Sequence, residues 1–189
     1  NNSLQWQLSF FDNLNESLIN PAIVEALINT FNNLSDRVII QFKRLEKYEI
    51  VEPKLFQILL RAIVERNEKE GIQIEIWIDV FDTYFTKLGE DVELIKKAYL
   101  QQEKIHSSFD LHGKGFVNIL RKDSNFLIEF VRSLYSQTYG LPNGTKDLSF
   151  VWQIDEVESL LREVFDFATE SHHYYGILEH FCNAFFRGL

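Results

Sequence analysis

Methionine is absent from the chain, and cysteine occurs once, at Cys182. A lone cysteine excludes an internal disulfide and suits a reducing compartment. Its place between Phe181 and Asn183, in an apolar pattern, fits a small buried filler. The missing initiator reads as a piece of a longer or processed chain. Had methionines been lost from the sequence, helical spacings would slip by one at each gap. No apolar run approaches the length of a bilayer crossing, and Asn1 to Phe11 does not read as a signal peptide. The sequons at Asn15, Asn33 and Asn143 are therefore chance matches, and a cytoplasmic location is expected.

Signatures of chemistry are missing too. The sequence contains no G-x-x-x-x-G-K-[ST], no G-x-G-x-x-G after a strand, no H-E-x-x-H and no C-x-x-C. No cofactor is expected. Positive charge is scarce as well: 19 Lys and Arg stand against 28 Asp and Glu, a formal charge of −9. Such a chain repels nucleic acid and anionic lipid unless a basic patch is segregated. The densest basic group, Lys43, Arg44 and Lys47, is flanked by acids and reads as a solvated helix face. Neither a nucleic acid nor a membrane is expected as partner.

What the chain has in excess is aromatic residues, 14% of the total with 17 Phe. That density predicts a well-packed interior or a sizeable partner surface. The apolar positions recur at helical spacing. Leu4, Leu8 and Phe11 suggest a terminal helix. Asn20-Pro21 is a cap followed by a helix-opening proline, with Ile23, Val24, Leu27, Ile28 and Phe31 on one stripe. Ser35 or Asp36 is expected to cap a second helix carrying Val38, Ile39, Phe42 and Leu45. Pro53 opens a third, with Leu55, Phe56, Leu59, Leu60, Ile63 and Val64 inward and Gly71 as its stop.

Ile72 to Val80 alternates apolar and polar residues, as a strand does. Extended to Leu88, however, Ile74, Trp77, Ile78, Phe81, Tyr84, Phe85 and Leu88 share one helical face. The longer fit predicts helix, with strand the alternative. Gly89-Glu90-Asp91 begins the next helix, its acids near the positive end, with Val92, Ile95, Ala98 and Tyr99 inward and Lys96, Lys97 and Gln101 to Lys104 outward. Tyr139 to Gly144 is the clearest loop. Leu148, Phe150, Trp152 and Ile154 suggest a short extended piece. Asp155 and Glu158 resemble a capping box ahead of a helical face of Val157, Leu160, Leu161, Val164, Phe165 and Ala168. Ser171 begins a last helix through Phe185.

The best-punctuated stretch is Phe109 to Tyr135. Gly113 and Gly115 mark a turn, Phe116 to Leu120 a short helix, Lys122 to Asn125 a break, and Phe126, Leu127, Phe130, Val131 and Leu134 a second helical face. Asp110, His112, Lys114 and Gly115 fall at EF-hand positions 1, 3, 5 and 6, but Lys at 5 and Arg121 at 12 are wrong for calcium. As a DNA-reading helix, Phe126 to Tyr135 offers Arg132 beside Glu129, too little positive charge.

This hairpin, D-L-H-G-K-G-F-V-N-I-L followed by K-D-S-N-F-L-I-E-F-V, resembles the helical-repeat tails of large signal-transducing P-loop ATPases of the STAND type. L-S-F-V-W-Q-I-D at Leu148 to Asp155 adds to the resemblance, which covers about a quarter of the chain. It implies a sensor or scaffold region that binds a protein trigger, with the ATPase core outside this chain. It transfers no functional residue.

The expected fold is all-α. It is a single domain over 1–189, with a sub-boundary available at 137–149. Its architecture would be an irregular array or solenoid of antiparallel helical hairpins, roughly eight to ten helices in all. The expected function is a non-enzymatic interaction, scaffold or sensor module that binds a protein, a peptide or a second copy of itself. His172, His173, Tyr174 and Tyr175 form the candidate contact, since tyrosine suits interfaces. His173 and His180 share a helical face but stand two turns apart, wider than zinc prefers, so no metal site is expected. The alternative is a metal-dependent hydrolase or nuclease using Asp79, Asp82, Glu90 and Asp91, acids that equally fit a solvated face.

Overall fold

A computed structural model describes residues 13–33, 38–41, 53–68, 74–77, 91–105, 110, 113–136, 148–155, 157–170, 179 and 182–186. Helices dominate them, in keeping with the all-α expectation, and the exception is one pair of four-residue strands. The chain forms two compact units, Asn1–Ile105 and His106–Leu189. Of the loop at 137–149, residues 137–147 lie outside the described residues.

In the first unit, α1 (Pro21–Asn32) starts as its sequence predicts. The Asn20 side chain accepts from the Ile23 N–H at 3.2 Å, and Pro21 needs no partner for a missing donor. Val24, Leu27 and Phe31 are buried. At its end, the Asn33 side-chain amide donates to Asn29 O. Helix α2 (Pro53–Asn67) buries all six residues of its predicted stripe. Each such side chain is worth about 1.5–3 kcal/mol against exposure. Helix α3 (Val92–Ile105) follows, and consecutive helices touch: α1 packs on α2, and α2 on α3.

Two expectations of helix fail here. Val38–Gln41 is strand β1 and Ile74–Trp77 is strand β2, paired in parallel with Val38 opposite Ile74 and Gln41 opposite Trp77. Parallel neighbours require a crossover, and α2 lies on it. The local signals were β-branched: Val38-Ile39-Ile40 in one strand, alternating Ile74 and Ile76 in the other. What anchors β2 is a side chain. The Asn67 amide donates to Ile74 O at 2.8 Å and accepts from Ile74 N at 2.7 Å, as a neighbouring strand would. Residues 78–90, the rest of the predicted helix, lie outside the described residues.

Two outward assignments on α3 are also corrected. Lys96 is buried, its ammonium donating to the exposed Glu93 carboxylate at 3.0 Å. Its long aliphatic stem suits the apolar side of the helix while its head is met by the Glu93 carboxylate. Gln102 is buried too, and its Oε1 finds no donor among the described residues. Its neighbour Gln101 donates instead to Val64 O on α2 at 2.9 Å.

The second unit is built on a phenylalanine cluster. Helix α4 (Lys114–Leu120) and helix α5 (Phe126–Ser136) form the predicted hairpin. The Phe116 ring meets Phe130 edge-on at 4.7 Å, Phe126 at 5.4 Å and Phe150 at 5.6 Å between centroids. Such pairs contribute about 0.5–1.5 kcal/mol each beyond their buried area. Helix α6 (Val157–Glu170) packs on α5 through the face that includes Leu160, Leu161, Val164 and Ala168, all buried.

The turn before α4 depends on two special backbones. Asp110 has φ 49 and Gly113 φ 63, both left-handed. Asp tolerates that region better than most residues, and Gly without strain. The Asp110 carboxylate is buried and accepts from the Phe116 N–H at 2.9 Å, capping α4 from four residues upstream of its first residue. Gly113 is needed for space as well, because a Cβ there would lie 2.2 Å from the Phe150 ring.

Phe150 belongs to a 3-10 turn, Ser149–Gln153, where an extended piece was expected. The alternation of Leu148, Phe150, Trp152 and Ile154 passes over Val151, which is fully buried. A tight helical turn takes Leu148, Phe150 and Val151 inward together, which a flat strand does not.

Three substitutions test these contacts by chemical unfolding. Asn67→Leu leaves both Ile74 backbone groups unpaired and should cost roughly 2–5 kcal/mol, with faster hydrogen exchange at the Ile74 amide. Gly113→Ala combines a left-handed backbone penalty with a clash and should cost about 2–4 kcal/mol. Gln102→Met keeps the shape, removes the unpaired acceptor, and should raise stability by about 1–2 kcal/mol.

Candidate functional site

The predicted contact residues His172, His173, Tyr174 and Tyr175 lie outside the described residues, as do Asp79, Asp82 and Glu90. Of the proposed carboxylate set, Asp91 is described, and it has a structural task. Its Oδ1 accepts from the Leu94 N–H at 3.1 Å, capping α3. Its Oδ2 accepts from Arg61 on α2 at 2.7 Å. The Arg61 hydrogen bond, followed by the Leu94 N–H, holds the Asp91 carboxyl below its ordinary value of 3.8. Both side chains are well exposed, 49% and 40%, so solvent screens the pair.

A parallel tie joins Lys97 on α3 to Glu68, just past α2, at 2.8 Å. The Glu68 carboxylate pushes the Lys97 ammonium above its usual range. Arg66, by contrast, is buried, and its Nε donates to Phe31 O near the end of α1. A cation at a helix C-terminus meets the negative end of the backbone dipole. These groups knit helices together.

In the glycine-rich turn, the Asp110 carboxylate serves α4 by accepting from the Phe116 N–H. Its neighbour in the frame, His112, lies outside the described residues. Among the described residues, no group of three or more His, Cys, Asp or Glu is placed to hold a metal ion. Arg132, the cation weighed for DNA reading, sets its guanidinium 5.8 Å from the centre of the Phe167 ring on α6. Nor is any described helix long and apolar enough to cross a membrane.

The remaining feature with the character of a site is aromatic. Trp152 Nε1 donates to Phe185 O at 2.7 Å, and Leu148 N donates to Ala184 O at 2.8 Å. Together they pin the 3-10 turn to a helical turn at 182–185. Phe185 is fully buried beneath, as its helical spacing predicted. Phe186 is 40% exposed, and its ring lies 5.4 Å from the half-buried Trp152 indole. Cys182, expected as a buried filler, is exposed instead. Local sequence does not mark the pair, because the spacing around Trp152 suggests a short extended piece and Phe186 stands beside the stripe that ends at Phe185.

Comparison with family models, curated proteins and solved structures finds no match.

Linkage at Asp91 gives a pH test. Its folded pKa lies below the ordinary value, so its charge contributes stability above that value. The contribution is lost as pH falls through the folded pKa. Asp91→Asn keeps a capping oxygen and removes the charge. At pH 7 the variant should be less stable by about 0.2–1 kcal/mol. Unfolding curves of the two proteins should converge in acid below pH 3.8.

Proposed function

We propose that the chain is a non-enzymatic helical module, a scaffold or sensor part of a larger protein, that recognises a protein or peptide partner. Its architecture would be an irregular array of helical hairpins. The observation that carries this reading is the Trp152–Phe186 pair. Aromatic residues are the enriched anchors of recognition surfaces. A tryptophan whose N–H is already bonded to its own backbone presents a ring with no polar group left to satisfy, so a partner can cover it without a desolvation penalty. The resemblance of the α4–α5 hairpin to the tails of STAND-type ATPases points to the same class of function.

A photoreactive residue placed at 186 tests the proposal in cells, with Glu25, exposed on α1, as the control position. Cross-links to a discrete protein at 186 and none at 25 are expected. Against the isolated partner, Phe186→Ala should weaken binding about tenfold or more, with little change in the melting midpoint. Unchanged affinity would sink the reading. If the cross-linked species is a second copy of this chain, light scattering should show a dimer that Phe186→Ala dissociates.

A further inference from the structure

We draw no further inference here: the strongest candidate, the exposed aromatic pair Trp152–Phe186 where the 3-10 turn meets the helical turn at 182–185, belongs to the surface already proposed as the contact, and nothing in the structure shows what covers it.

Discussion

A backbone N–H or C=O taken out of water must find a partner, and in each unit one short polar side chain meets that demand where regular structure does not. In the first unit it is Asn67. Helix α2 ends there, and its amide takes both polar groups of Ile74, a residue with no exposed surface. Without that amide, β2 would present a donor and an acceptor to an apolar interior. In the second unit it is Asp110. Its carboxylate satisfies Phe116 N, which fixes where α4 starts and so where the Phe116 ring enters the cluster of Phe126, Phe130 and Phe150. The polar contact and the aromatic core are therefore one arrangement. Moving the first rotates the second.

This dependence explains which parts of the fold were legible in the sequence. Helices whose signals are local came through: Asn20-Pro21 before α1, the six-residue stripe of α2, the two-part hairpin of α4 and α5. Each rests on residues within a few positions of one another. The strands did not. A four-residue strand is decided by its pairing partner, here 36 positions away, and by an amide seven positions upstream. Periodicity over a longer window then favours helix, because Ile74, Trp77, Ile78 and Phe81 share a helical face that runs on past the short alternation of Ile72 to Val80. The 3-10 turn failed for a related reason. Its conformation is held by Trp152 bonding to Phe185 O and Leu148 bonding to Ala184 O, contacts more than thirty positions long.

The candidate site was less legible than the fold. Carboxylates are cheap to place on a solvated face and carry no mark of their role in sequence. Asp91 looked like one of four acids and is a helix cap tied to Arg61. Lys96 and Gln102 looked outward because they are polar, yet both are buried. For Lys96 a long stem reconciles the two, with its head on Glu93. Gln102 has no such release, which marks it as a place where the helix tolerates a cost.

Charge narrows what the proposed surface can be. The acidic chain uses several of its cations inside its own framework: Arg66 on a helix end, Arg61 and Lys97 in ties between α2 and α3, Arg132 over Phe167. Cations so engaged contribute little to a phosphate-tracking surface, where affinity depends on many free positive groups facing the ligand. An aromatic contact needs no such field. Trp152 and Phe186 are large, stiff side chains with two rotatable bonds each, so covering them costs little rotational freedom for the area buried. The Trp152 indole is further held by its own hydrogen bond before any partner arrives. On the proposed reading, preorganised apolar area on an acidic, helical body suits a protein surface better than a polyanion, and the energetic centre of that contact would lie where the 3-10 turn meets the helical turn at 182–185.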